Sequence, residues 1–286
     1  MKQTFLTTFA YAKINFALAI LGIREDGYHE LQSVMQSIAL HDVVGVRRTE
    51  EAVICNCGAL SGQRNLAFIA AELFFKELGL SGGAEIEIEK HIPLQAGLAG
   101  GSSDAAATLR LLNQLYDTPL SGEELTTLAG KCGADVAFCL KGGTMWATGR
   151  GEYLDLLPNN LEMDLVLVKP AAGVNTREAY RQFDKYGEKG YISKEAWETA
   201  LREASPQHIA GLLYNDLEIA SMTMVPEISN LKQYLLDEAC YGALMSGSGS
   251  CVFGIAQSRD HACKVSEQLK KKGCANVWVT KTVGHM

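Results

Sequence analysis

The segment from 92 to 109, IPLQAGLAGGSSDAAATL, constrains this chain more than any other. A strand-like run passes into Gly97, Gly100 and Gly101, then two serines, then a small-residue helix start. Glycines let backbone N–H groups close around an anion, and the free N–H groups and dipole of a helix N-terminus add partial positive charge at the same place. The segment has neither the Lys before Ser/Thr of a Walker loop nor the GxGxxG spacing of a dinucleotide fingerprint. Taken alone it is equally a turn capped by Ser102 or Ser103, with alanines there for close helix packing.

What surrounds that loop is an ordinary globular composition: 286 residues, 47% apolar and 21% charged, enough for one large core or two modest ones. The formal charge of -7 leaves no basic footprint for nucleic acid or anionic lipid, so an anionic ligand must be met by local donors. The eight cysteines form no CxxC pair, only the CxC of Cys55 and Cys57, and several sit in apolar runs, as expected of thiols in a reducing cytoplasm. Lys2 followed by FLTTFAYA is not read as a signal peptide, because Thr7 and Thr8 break the apolar stretch. No run approaches the ~20 apolar residues of a membrane span, and no obligatory protein partner is evident.

Along the chain, AYAKINFALAIL and LQSVMQSIAL read as strands about the turn Glu25-Asp26-Gly27. A helix follows with Asn65 as cap, Gly79 as stop and Leu66, Ile69, Leu73 and Phe74 on its apolar face. EIEIEK alternates as a half-buried strand, DAAATLRLLNQLY is helical, and Ser121 with Glu124 forms a capping box. A turn at 158–160 sets a soft boundary, dividing the chain into 1–158 and 159–286. The second part is expected to be α+β, with helices near 175–186, 193–204, 226–239 and 259–272 and strands at LVLVKP, CVFGIA and NVWVTKTV.

PLQAGLAGGSSDAA resembles the glycine loop of the galactokinase, homoserine kinase, mevalonate kinase and phosphomevalonate kinase superfamily. AYAKINFALAILGIREDGYHEL and MSGSGSCVFGI resemble the other signatures of one branch, the 4-diphosphocytidyl-2-C-methyl-D-erythritol kinases. NDLE at Asn215–Glu218 and GADVAF at Gly133–Phe138 fit the same branch, in the same order and across nearly the whole chain. Gln95, Ala96 and Ala99 stand where some members have glycine, and Phe16 where Leu is usual.

The resemblance implies a two-domain α+β fold: an N-terminal domain bearing the loop, a ferredoxin-like C-terminal domain and an active site in the cleft between them. It implies ATP as co-substrate, with Mg2+ and no dedicated cage for it, and a cytidine diphosphate sugar-alcohol as the acceptor. Lys13 and Asp135 would be catalytic. Pro93, Gly97, Leu98, Ala99, Gly100, Gly101, Ser102 and Ser103 would bind the phosphates, with Asn65 toward adenine and Ser103 a possible metal ligand. Asn15, Tyr28, His29 and Thr176 would bind the acceptor.

These assignments agree with what the residues are. Lys13 is an ammonium among apolar neighbours in a strand, costly unless a carboxylate or phosphate accompanies it, unless the strand turns it to solvent. Asp135 and Thr176 otherwise read as helix caps. Tyr28 beside His29 offers a π-face and polar atoms for a base, or merely flanks a hairpin. Asp104 is expected in the first turn of the loop's helix, competing with a phosphate for the dipole. SGSGS at 246–250 lines the active site by resemblance, or is a tight helix-to-strand connection. A related kinase with another alcohol acceptor, or a non-catalytic member of the fold, stays open.

Overall fold

The computed structural model describes residues 5–117, 120–158 and 162–285. The expected boundary at 159 lies outside the described residues.

The expected opening hairpin forms, with β1 (Phe5–Ile23) antiparallel to β2 (His29–Thr49). Both strands are much longer than the alternation of polar and apolar residues suggests. Register shifts at Tyr11/Lys13, Asn15/Ala17 and Ile20/Gly22 re-aim the middle of β1, where every residue from Ala12 to Ile20 is buried. That is how a lysine and an asparagine come to lie inside the molecule.

The remaining elements of the first part are β3 (Ile54–Asn56), α1 (Leu66–Leu78), β4 (Gly83–Glu89), α2 (Gly100–Leu115), α3 (Gly122–Cys132), α4 (Ala134–Lys141), β5 (Thr144–Gly149) and β6 (Tyr153–Leu156). Asn65 caps α1 by accepting from the Ala67 N–H, and Gly79 ends it at φ 59°. Of the face expected of α1, Phe74 is buried and Leu66 and Leu73 pack half-buried against the core, while Ile69 is not inward. Ala67, Ala70, Ala71 and Phe74 are inward while Ile69 is largely exposed, because small residues let α1 approach α2 closely. Ser121 and Glu124 form the full capping box of α3. Ile86 and Ile88 face the core from β4, as alternation predicts.

The second part comprises β7 (Asp164–Lys169), α5 (Thr176–Tyr186), α6 (Lys194–Arg202), α7 (Pro206–Gly211), β8 (Tyr214–Asn215), α8 (Leu217–Met224), α9 (Glu227–Asp237), β9 (Gly242–Met245), β10 (Val252–Ile255), α10 (Arg259–Lys271) and β11 (Asn276–Lys281). Its sheet is antiparallel in the order β11-β7-β10-β9. That is the split β-α-β-β-α-β order of a ferredoxin-like domain, carrying extra helices between β7 and β9. The first sheet runs β3-β4-β2-β1-β8, with β5 and β6 beside β2. Its β8 comes from the second part, so the two halves interlock along β1.

Three cores follow. One joins the first sheet to α1–α4, one joins the second sheet to α8–α10, and a third, centred on Phe16, Trp197 and Phe253, cements the halves. Phe16, where Leu is usual in the family, stacks parallel to Trp197 with ring centroids 6.0 Å apart. The SGSGS segment joins β9 to β10, two strands, which overturns the helix-to-strand reading of it.

Candidate active site

Strand β1 delivers Lys13 and Asn15 to the floor of a cleft of about 680 Å3. Lys13, only 4% exposed, donates from Nζ to Asn15 Oδ1 at 2.8 Å, and its Nζ lies 3.8 Å from Asp135 Oδ2. Asn15 is itself held by donating to Ser33 Oγ at 2.8 Å. Asp135 stands in the first turn of α4, where the helix dipole favours a carboxylate, and more than a third of its side chain is open to the cleft. The reading of Lys13 as a solvent-facing strand residue is therefore excluded.

Gly97 and the start of α2 form the wall beside this pair. Gly97 has φ 72° and Ala99, the residue before α2, has φ 55°, so the chain turns through left-handed backbone into the helix. No side chain caps α2. The N–H groups of Gly100, Gly101 and Ser102 lack intrahelical acceptors by position, and all three residues line the cleft. Lys13 N donates to Leu98 O at 3.1 Å, while Ser250 N and Cys251 N donate to Gln95 O and Ala96 O. The loop is thus pinned to β1 on one side and to the β9–β10 turn on the other.

Pro93, Leu98, Ala99 and Thr176 also line the cleft. Thr176 shares a 2.8 Å hydrogen bond with Ser248, whereas Asn175 caps α5, so the capping role expected of Thr176 is corrected. Ser103 is drawn away: it is buried and its hydroxyl donates to the Tyr11 carbonyl. Asn65 sits behind Leu66, with its amide accepting from Ala67 N and donating to Leu60 O at 3.0 Å. Tyr28 and His29 do not themselves line the cleft, but each packs against a residue that does. The Arg150 guanidinium lies 4.9 Å from the Tyr28 ring centroid, and Tyr180 lies 4.6 Å from His29.

Arg150 and Tyr180 line the cleft and were not singled out from sequence. An arginine in a GRGE turn and a tyrosine in an amphipathic helix carry no signal until the fold brings them to Tyr28 and His29. Burial, and then the charge of Asp135, push the Tyr180 hydroxyl well above its ordinary range, so it stays a neutral phenol. The NDLE residues brace the site from behind. Asn215 donates to the carbonyls of Met245 and Gly247, each at 2.8 Å, and Glu218 accepts from Met245 N at 3.0 Å.

Asp104 lies one position beyond the first turn of α2 and does not compete for a phosphate there, contrary to expectation. It is buried, with Lys90 Nζ at 2.7 Å from Oδ2, and its Oδ1 has no hydrogen-bond partner. Lys90 also pairs with Asp42, which accepts the backbone N–H groups of His91 and Ile92 as well. One ammonium thus serves two buried carboxylates. Burial, reinforced by Asp42, pushes the Asp104 carboxyl up to about 7. Lys90 loses by burial, but the two carboxylates more than restore its charge.

Among the described residues no group of three or more His, Cys, Asp or Glu side chains could hold a metal ion. The Ser103 hydroxyl donates to the Tyr11 carbonyl, and Asp104 Oδ2 is paired with Lys90 while its Oδ1 is unpartnered.

An uncapped helix start, a glycine turn and a lysine–aspartate pair in a two-domain cleft define a small-molecule kinase of the GHMP class. The family described as "GHMP kinases N terminal domain" matches residues 65–143, and "GHMP kinases C terminal" matches 197–275. A protein of Desulfitobacterium hafniense (strain Y51) named 4-diphosphocytidyl-2-C-methyl-D-erythritol kinase is 53% identical over 96% of this chain and 95% of its own. A solved structure described as "4-(cytidine 5'-diphospho)-2C-methyl-D-erythritol kinase" superimposes with a TM-score of 0.82 at 33% identity, covering 98% of this chain and 100% of that one. The L. major mevalonate kinase, at a TM-score of 0.75, 16% identity, and 99% and 97% coverage, shares the fold. The chain belongs to the 4-diphosphocytidyl-2-C-methyl-D-erythritol kinase family.

Proposed function

We propose that this chain transfers the γ-phosphoryl group of ATP to the 2-hydroxyl of 4-diphosphocytidyl-2-C-methyl-D-erythritol, giving the 2-phosphate and ADP, a step toward isoprenoid precursors by the non-mevalonate route. The observation that carries this reading is the 3.8 Å approach of Lys13 Nζ to Asp135 Oδ2 beside the uncapped start of α2.

Phosphoryl transfer asks for in-line positioning and for positive charge beside the moving group. The amides from Gly97 to Ser102 hold the donor's phosphates, and the dipole of α2 offsets their charge. Lys13 sits where the transferred group passes between donor and acceptor, oriented by Asn15. Asp135 orients the acceptor hydroxyl and takes its proton, while the neighbouring ammonium stabilises the negative charge that develops on the acceptor oxygen and the transferring group. Magnesium would supply positive charge that offsets the charge of the donor's phosphates.

Asn65 borders the adenine side through the helix start it caps. At the other end Tyr28, His29 and Thr176 receive the cytidine diphosphate part, with Asn15 on the sugar-alcohol. We place the domain division at 1–158 and 159–286, with β8 as a crossing element, and the enzyme in the cytoplasm. The free thiols support the location, and no helix among the described residues is long and apolar enough to cross a membrane.

Release of ADP from Mg-ATP tests the function directly. Turnover with 4-diphosphocytidyl-2-C-methyl-D-erythritol should far exceed that with mevalonate or homoserine. Equal rates on the three alcohols would remove the assignment and favour a related kinase with another acceptor.

A further inference from the structure

His29, the first residue of β2, is met by Asp184 of α5, which comes from 155 residues further along the chain. His29 Nε2 lies 2.7 Å from Asp184 Oδ1, and only 13% of the His29 side chain is exposed. Tyr180, one turn earlier on α5, covers the imidazole with its ring tilted by 34° at 4.6 Å. Tyr180 also lines the cavity that holds Lys13 and Asp135, so His29 is joined to that cavity through the ring packed on it.

An ionised carboxylate accepts hydrogen bonds and donates none, so a neutral imidazole bonded to it carries its proton on Nε2. Nδ1 is then left with a lone pair, and among the described residues it has no hydrogen-bond partner. A half-buried ring whose one nitrogen is committed and whose other is a bare acceptor is a reader of donors.

We infer that Asp184 is a positioning residue that sets base specificity: by holding His29 as the Nε2–H tautomer it presents an Nδ1 acceptor, which favours a pyrimidine with an exocyclic amino group over one with a carbonyl there. The inference rests on the functional reading above, which puts the cytidine end of the substrate against Tyr28 and His29. An acceptor opposite the amino group of cytosine completes a hydrogen bond. Opposite the corresponding oxygen of uracil, the same nitrogen sets lone pair against lone pair, and both groups are left desolvated and unpaired. Without Asp184 the ring relaxes toward a mixture of tautomers. Its Nδ1–H form donates to that oxygen, and the preference shrinks.

Two measurements on the full chain test this. In protein labelled with 15N-histidine and free of ligand, imidazole 15N shifts and multiple-bond correlations report the tautomer, with His29→Gln assigning the resonance. The parent ring should be Nε2–H, and Asp184→Ala should shift it toward Nδ1–H. Second, kcat/KM for the cytidine substrate is divided by kcat/KM for its uridine counterpart. Asp184→Ala should lower that ratio by about tenfold or more, through KM for the cytidine form, with KM for ATP unmoved and partial recovery in Asp184→Glu. An Nδ1–H or doubly protonated ring in the parent overturns the inference. So does an active Asp184→Ala variant whose ratio stays within about twofold of the parent's. A parent with the Nε2–H ring that phosphorylates neither pyrimidine form brings down the functional reading, and the selectivity role with it.

Discussion

Ser246 Oγ donates to the Gly97 carbonyl at 3.0 Å, while accepting from the Asn15 N–H at 3.3 Å, so one hydroxyl joins the glycine loop, the β9–β10 turn and the strand that carries Lys13. The contact leaves no room for a side chain at Gly97. A Cβ there would come within 2.0 Å of the Ser246 carbonyl oxygen, and φ is 72°. Gly97→Ala should therefore destabilise the protein by about 2 kcal/mol or more and separate the two turns. Thermal unfolding and an ATP titration check it. A variant that keeps both its melting temperature and its ATP affinity would show that the turns tolerate separation.

Ala99 is the opposite case, an alanine where the backbone wants glycine. Its φ of 55° places Cβ close to its own carbonyl, a strain of about 1 kcal/mol that glycine lacks. The greater freedom of glycine in the unfolded chain offsets part of that gain. Ala99→Gly should raise stability by no more than about 0.5 kcal/mol, with KM for ATP within about twofold of the parent. A urea midpoint that falls clearly below the parent's would mean that Ala99 earns its place by packing.

Asp135→Asn keeps the shape of the site and removes the charge and the proton acceptor. Lys13 would keep its hydrogen bond to Asn15, so the floor of the cleft should hold. The expected loss is about 10²- to 10⁴-fold in kcat, with nucleotide affinity largely retained. Calorimetric titration with an ATP analogue, run beside steady-state kinetics, separates the two effects. Full turnover in the variant would take Asp135 out of the chemistry.

Motif order across the chain already pointed to the two-domain kinase fold and to the family, whereas single-residue chemistry left Lys13 open between a solvent-facing strand position and a buried charge with a partner. The turn at Glu25-Asp26-Gly27, the Asn65 cap and the Ser121–Glu124 box were legible because each is a local rule. Sequence failed where the decisive contact is long-range. The inward face of α1 is set by how close α2 can come, and the strand-to-strand position of SGSGS is set by β9, a short strand with no pattern of its own. Arg150, just past β5, and Tyr180 of α5 became visible only when the fold brought both to one cleft.

The Asp104–Lys90–Asp42 cluster beneath the loop makes a prediction about pH. The Asp104 carboxyl stands at about 7 in the folded chain, against an ordinary value of 3.8. Between those values the folded protein binds this proton more tightly than the unfolded chain does, so the contribution to stability is full below pH 4 and is lost as pH rises through 7. Asp104→Asn removes the titration and leaves Lys90 paired with Asp42. The variant should be close to its parent or weaker at pH 5, and should gain on it steadily up to pH 8. Urea unfolding of both proteins at pH 5, 6, 7 and 8 gives the difference curve. A flat difference would mean that Lys90 keeps Asp104 ionised throughout, and a difference falling with pH would mean that the ion pair outweighs the burial.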